Sequence, residues 1–294
     1  MDDQFLSPKQ AASALQVSES SLRRWCDQGL LEIVRTAGGH RKIPIREIVQ
    51  FARSKGLSLS PAEVSLQVSA TRDTPPETWA SLFADALLST DSLAARRFLM
   101  ELFNSGMEVS EICDNVIAAA FHIIGDRWSC DSIDVYQERR SCEIVTKIMH
   151  EIRGFQQSPL PNRMAIGGTL SHDYYSIPTA MVDLVLSAER YRTENLGTSL
   201  PASSFVRAVH DLQPQILWIS VSHIQDESQF IPGLQEIWSA CVQCNVALIL
   251  GGRALTEPLI RQRLTYTAHC DSMRSLKSLV ASIFRMTSQK SAAE

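Results

Sequence analysis

The chain has 294 residues, 45% of them hydrophobic, and a formal net charge of −4. This length exceeds one typical domain, and the apolar content excludes a mostly disordered chain. No run of about 18 apolar residues is present and the acidic N-terminus is unlike a signal peptide, so we expect a cytoplasmic protein without a membrane segment. Seven irregularly spaced cysteines predict reduced thiols, and the lone Cys241-x-x-Cys244 favours core packing over a redox or metal site.

Charge is distributed unevenly along the chain. Residues 1–55 hold nine Lys/Arg against six Asp/Glu, a net of +3, so the remaining residues hold −7. A basic head on an acidic body is typical of a protein that binds nucleic acid at one end.

The head begins with the pattern of a helix-turn-helix. Serine caps predict two short helices, one over 8–15 and one from Ser18 to 28. The second helix turns Leu22 inward and presents a polar face. The candidate DNA contacts on that face are Ser20, Arg23 and Arg24.

A β-hairpin follows over residues 35–42. Adjacent Gly38 and Gly39 permit a tight turn with φ > 0, and cations flank that turn on both sides. Such a wing brings a guanidinium to a phosphate or into a minor groove. The candidate contacts in the wing are Arg35, His40, Arg41 and Lys42. A closing helix is expected over 45–55.

The rest of the chain predicts a helical region followed by an α/β region. Apolar residues recur at three and four in the stretches 78–89, 91–105, 109–124 and 133–153, which favours a four-helix bundle. Strands over 164–169, 193–196, 216–221, 246–250 and 265–268 alternate with helices, which favours a doubly wound parallel sheet. The predicted domains are a winged helix-turn-helix over 1–56, a linker over 57–77, a four-helix cap bundle over 78–158 and a Rossmann-like domain over 159–290.

The ordered pattern from Leu6-Ser7 through Arg23-Arg24-Trp25 to Gly38-Gly39-His40-Arg41 resembles the MerR-type winged helix-turn-helix. The following pair of regions resembles a helical cap joined to a Rossmann-like cobalamin-binding domain, and the whole chain resembles the light-dependent CarH/LitR repressors. In that family the C-terminal region binds adenosylcobalamin and forms tetramers that hold the operator, until light cleaves the cobalt–carbon bond. The resemblance implies a repressor and photoreceptor, not an enzyme, with double-stranded operator DNA and a dimer or tetramer of its own chain as partners.

The resemblance also implies the ligand contacts. Trp128 and Glu138 match the cap motif in which tryptophan lies over the upper face of the corrin, and Ser220 and Ser222 match hydroxyls that line the channel for the nucleotide tail. The glycine pair after the fourth strand matches a close approach of ligand to backbone. The implied cofactor-binding set is Trp128, Glu138, Arg139, Tyr175, Ser220, Ser222, Gly251 and Gly252.

Three positions depart from the family pattern. Tyr175 stands where the family has the histidine that ligates cobalt from below, Pro178 stands where it has glycine, and Arg139 replaces the upper histidine. A phenol, with a pKa of about 10, is a poor cobalt ligand at neutral pH. Histidine-ligated cobalamin is therefore not expected, and no metal ligand is predicted.

Several alternatives remain open for the C-terminal region. Cobalamin could bind without a protein ligand below, the crevice could hold another tetrapyrrole such as a bilin, or the domain could be an empty dimerisation module controlled by a protein partner. Tyr174 and Tyr175 are expected to pack at the sheet edge and fill the space of the tail, with Pro178 at the first position of a helix. Arg139 pairs either with a ligand carboxylate or with Glu143. A corrinoid carrier or enzyme is the rival class of function.

Overall fold

The computed structural model describes residues 5–31, 33–35, 41–44, 47–48, 51–52 and 76–291. The chain divides into two compact units, Met1–Pro75 with Met100–Met107, and Pro76–Leu99 with Glu108–Glu294. The predicted fold class is confirmed: a helix-turn-helix head precedes a helical cap and a five-stranded parallel α/β sheet. Among the described helices none is both long and apolar enough to span a membrane.

The head contains a small antiparallel sheet and two helices. Its elements are β1 (Phe5–Leu6), α1 (Pro8–Ala14), α2 (Glu19–Asp27), β2 (Val34–Arg35) and β3 (Arg41–Pro44). Strand β1, which the sequence did not predict, pairs with β3, and the sheet order is β1-β3-β2. Ser7 caps α1 through a reciprocal capping box with Gln10, and Ser18 caps α2. The closing helix expected over 45–55 is helical at 47–48 and 51–52, and its other residues lie outside the described ones.

An apolar cluster sets the orientation of α2 in the head. Leu22 of α2 is fully buried among residues of both helices and of β3, including Leu15 and Ile43. Trp25 packs its ring against Phe51 with centroids 4.8 Å apart, so this tryptophan serves the core. The residues of α2 that are not part of this cluster are left on the outer surface of the helix.

The cap consists of four helices. They are α3 (Pro76–Leu88), α4 (Ser92–Asn104), α5 (Val109–Glu111, Ile112–Ala118 and Ala119–Ser129 in succession) and α6 (Val135–Gly154). The middle segment of α5 is π-helical, and α5 continues past the predicted end at 124. The predicted linker 57–77 lies outside the described residues except for 76–77, which already belong to α3.

The α/β region follows the predicted alternation. Its elements are β4 (Met164–Gly168), α7 (Ser176–Ala188), β5 (Arg192–Asn195), α8 (Ala202–Leu212), β6 (Ile216–Ser220), α9 (Glu227–Gln243), β7 (Ala247–Gly251), the 3-10 turn Arg253–Thr256, α10 (Pro258–Arg261), β8 (Ala268–Cys270) and α11 (Met273–Ser291). All strands are parallel, in the order β5-β4-β6-β7-β8. The fifth strand, expected near 265–268, is present but lies two to three residues later, at Ala268–Cys270.

The sheet has two differently filled faces and one crevice. Alternate residues Leu217, Ile219 and Val221 enter an aliphatic cluster with α8 and α9. The intervening residues of β6 face α7. Because the chain runs from β4 outward to β5 and then returns to β6 on the other side, the order reverses between β4 and β6. Ligands of such sheets bind beyond the carboxyl ends of the strands at this reversal.

Candidate functional site

The exposed face of α2 carries three of the predicted DNA contacts. Ser20, Arg23 and Arg24 are exposed, whereas Leu22 is buried on the opposite side. Spacings of three and four residues place these side chains on one face of a helix. Two cations on such a face can reach phosphates or base edges in a groove.

Arg41 joins the wing to the end of α2. Its Nη1 lies 2.9 Å from Oδ1 of Asp27, the last residue of α2, and both side chains remain partly exposed. The predicted contact is thus already paired within the head, and Asp27 is a partner that sequence spacing did not reveal. Lys42 is half-buried. The Arg35 side chain, His40 and the glycine turn before it lie outside the described residues.

Asp173 organises the crevice between β4 and β6. Its buried carboxylate accepts the backbone N–H groups of Ser222 (2.6 Å) and His223 (3.2 Å) at Oδ2, and that of Tyr175 (3.1 Å) at Oδ1. Burial raises the pKa of this carboxyl, and the three N–H groups oppose that rise. Asp173 therefore ties the loop after β4 to the end of β6, a role that sequence reasoning missed.

Tyr175 does not fill the interior of the sheet. Tyr174 and Tyr175 are 62% and 46% exposed, so the expectation that they occupy the tail space is wrong. The guanidinium of Arg253 lies over the Tyr175 ring, 5.2 Å from its centroid, with Nη2 3.3 Å from the phenol oxygen. Arg253 also donates through Nε to the Ser222 carbonyl (3.3 Å), so Tyr175 is packed against the crevice rim.

The helix after this loop begins earlier than expected. Tyr175 is the N-cap of α7, and its side chain makes no capping hydrogen bond. Pro178 is therefore the third helical residue and not the first, a position at which its missing N–H still lies among those without an intrahelical partner.

The predicted serines and glycines lie at or just after the ends of β6 and β7. Ser220 and Ser222 are both buried. A Cβ at Gly251 would lie 2.8 Å from the Cys270 carbonyl oxygen, and one at Gly252, whose φ is +114°, would lie 2.3 Å from that of Val221. These glycines therefore permit approach of neighbouring backbone.

The predicted cap residues lie around the junction of α5 and α6. Trp128 is 52% exposed near the end of α5. Arg139 pairs with Glu138 (Nε–Oε2 3.5 Å) and not with Glu143, which was one of its two predicted partners; the other, a ligand carboxylate, stays a prediction. Glu138 also accepts the Cys142 thiol (3.3 Å), and burial together with Glu138 raises the pKa of that thiol to about 12.

A cavity of about 490 Å³ lies between α6, α7 and β5. None of the predicted ligand contacts lines it. Its wall includes Arg153, whose Nη1 lies 2.7 Å from Oδ2 of Asp183 and whose Nη2 donates to the Thr193 carbonyl (2.9 Å). This buried ion pair connects the last cap helix to the α/β region.

The residues of the crevice do not fit a histidine-ligated cobalamin. An exposed phenol stacked beneath Arg253 stands where the resemblance places the cobalt-ligating histidine, and a phenol is a poor cobalt ligand at neutral pH. The space beneath Ser220 is occupied as well, because Trp218 is buried there.

Two domain-family models match the chain: a helix-turn-helix domain over residues 5–56 and a B12 binding domain over residues 80–153. Trimethylamine corrinoid protein 1 of Methanosarcina acetivorans is 20% identical over 177 residues, which cover 59% of this chain and 82% of that protein. The trimethylamine corrinoid protein of Methanosarcina barkeri matches with the same identity and coverage. The solved structure of the M. barkeri monomethylamine corrinoid protein superposes with a TM-score of 0.52 at 14% identity, covering 68% of this chain and 96% of that one.

These comparisons identify the parts of the molecule. The chain joins a helix-turn-helix DNA-binding domain to a B12-binding domain, and its helical cap and parallel sheet have the fold of corrinoid proteins. This combination suggests a cobalamin-linked regulator that binds DNA.

Proposed function

We propose that this chain is a MerR-type transcription repressor that binds operator DNA through α2 and the wing. The observation that carries the proposal is the presence of a helix-turn-helix domain and a B12-binding domain in one chain. The exposed cations Arg23 and Arg24 on α2 support it, because they are available to phosphates or base edges.

Oligomerisation through the C-terminal unit controls DNA affinity in this proposal. One small head makes few contacts with a duplex, whereas two or more linked heads gain affinity through their effective concentration. A dimer or tetramer places heads on successive half-sites.

The C-terminal unit acts as a sensor and not as an enzyme. A planar tetrapyrrole, held without a protein ligand to its metal, covers the exposed Trp128 and makes the assembly sensitive to light. The rival function, a corrinoid carrier like the relatives named above, leaves the DNA-binding head without a role. Control by a protein partner replaces the tetrapyrrole if the crevice holds no chromophore.

Fluorescence anisotropy with promoter fragments, including the one upstream of its own gene, tests the DNA-binding role. Arg23→Ala/Arg24→Ala should weaken binding by roughly tenfold or more and reduce the salt slope by about two, one for each lost phosphate contact. The double variant Arg97→Ala/Arg207→Ala removes the same charge from the larger unit and should leave both values unchanged. Equal effects of the two double variants would contradict the proposal.

An absorbance spectrum and light scattering test the sensor role. The protein is mixed with adenosylcobalamin or biliverdin in the dark, and its spectrum and molar mass are recorded before and after illumination. A bound chromophore band with a light-dependent change of mass supports the tetrapyrrole sensor. A clean protein spectrum after both mixtures favours control by a protein partner.

A further inference from the structure

An aromatic ring fills the interior of the α/β region on the α7 side of β6. Trp218 is only 2% exposed and lies on the same face of β6 as Ser220. Ser220 is two residues nearer the carboxyl end of the strand and therefore closer to the crevice. Its indole Nε1 donates to Oγ1 of Thr179 in α7, at 2.9 Å. The ring is therefore held by a hydrogen bond as well as by packing.

The neighbouring strand is shaped around this ring. Gly167 of β4 is the register partner of Trp218. A Cβ at Gly167 would lie 2.2 Å from Cδ2 of the indole and 2.3 Å from the Trp218 carbonyl oxygen, so only glycine fits beside both the ring and the backbone of Trp218. The space between Gly167 of β4 and Thr179 of α7, here called the slot, is thus filled by the Trp218 ring. It lies directly below the reversal of strand order, where a ligand of this sheet would bind.

The occupant resembles a part of cobalamin. The nucleotide tail of cobalamin ends in dimethylbenzimidazole, a fused five- and six-membered aromatic ring, and indole has the same fused ring system. A tail that entered the sheet from the crevice would pass Ser220 and meet the indole. The other face offers no room, because Leu217 and Ile219 are packed in the aliphatic cluster there.

We infer that Trp218 occupies the space in which the base of a corrinoid's nucleotide tail would otherwise be buried. A corrin bound in the crevice therefore keeps its tail out of the space between β6 and α7, because the Trp218 ring already fills that space. This inference rests on the ligand crevice of the proposed function and is independent of DNA binding, so its failure and that of DNA binding are measured separately.

Thermal unfolding with the nucleoside of the tail, α-ribazole, tests this inference without cobalt. Trp218→Ala should lower the Tm by about 10 °C, since an indole-sized cavity is left. Indole and α-ribazole should each restore about 5 °C at about 100 times their Kd, because an apolar cavity binds a matching aromatic molecule. Thr179, which also lines the 490 Å³ cavity, provides the control. Thr179→Val removes the hydrogen bond but opens no space and should respond to neither compound.

Two results would overturn the inference. One is a wild-type Tm that α-ribazole raises as much as that of Trp218→Ala, since the slot would then be free. The other is a Trp218→Ala protein that responds to indole but not to α-ribazole, since the slot would then not suit the tail. If Trp218→Ala folds only with indole present, displacement of that indole by α-ribazole gives the same readout.

Discussion

Breaking the ion pair between the last cap helix α6 and helix α7 should strongly destabilise the fold. Asp183 is buried, with 8% of its side chain exposed, and its Oδ2 accepts from Arg153. Replacing Arg153 by methionine keeps aliphatic packing but leaves a buried carboxylate without its cation, a change that typically costs about 3–5 kcal/mol. Because Arg153 is 34% exposed, water can partly replace it, and we expect a loss of about 2–3 kcal/mol.

Urea unfolding followed by far-UV circular dichroism measures this loss, with a matched exposed pair as control. Arg97 pairs with Asp91 at 2.9 Å, and both side chains are more than half exposed. Arg97→Met should therefore cost at most about 1 kcal/mol. The double variant Arg153→Met/Asp183→Leu should recover most of the stability, because no charge is then left buried.

The losses of stability in these three variants distinguish an unpaired buried charge from lost packing. If Arg153→Met and Arg97→Met lose the same stability, burial of Asp183 does not set the strength of the pair. If the double variant is as unstable as Arg153→Met, the loss comes from packing of the arginine stem and not from an unpaired charge.

Three further measurements follow from the structure. Arg41→Ala should weaken DNA binding and reduce the salt slope by about one, whereas Asp27→Ala should strengthen binding at low salt because it frees the Arg41 guanidinium; unchanged values for both variants would remove the wing from DNA binding. Iodoacetamide at pH 8 should label the exposed Cys130 well before Cys142, because burial and Glu138 raise the pKa of the Cys142 thiol to about 12. Mass spectrometry of the protein labelled in its native state measures this order, and earlier labelling of Cys142 would contradict the prediction. Burial raises the pKa of Asp173 above its unfolded value of 3.8, so its contribution to stability is complete below that pH and falls as the pH rises through the folded pKa. The free energy of unfolding of wild type minus that of Asp173→Asn should therefore decrease as the pH rises above about 4. An increase of this difference over the same pH range would contradict the raised pKa.

The sequence was sufficient to predict most elements, because their determinants are local. Ser7 and Ser18 cap the two helices of the head, and Asp134 with Gln137 caps the start of the last cap helix. Each of these hydrogen bonds joins residues no more than three positions apart in the sequence. Apolar periodicity likewise reports one face of one helix or strand. The alternation of strands and helices implied the parallel sheet, and hence the edge at which a crevice forms.

The contacts that give the candidate sites their character arise only in the folded molecule. Arg41 meets Asp27 across 14 residues, and Arg253 covers Tyr175 across 78. Trp218 lies against Gly167 because β4 and β6 are neighbours in one particular register. Apolar residues in a strand predict that the strand is buried, but they do not identify its neighbours. Strand order, register and the choice of face depend on the packing of segments that are distant in the sequence. For that reason sequence position alone assigns the space below the crevice to the tyrosines, whereas the fold buries Trp218 there, 43 residues after Tyr175.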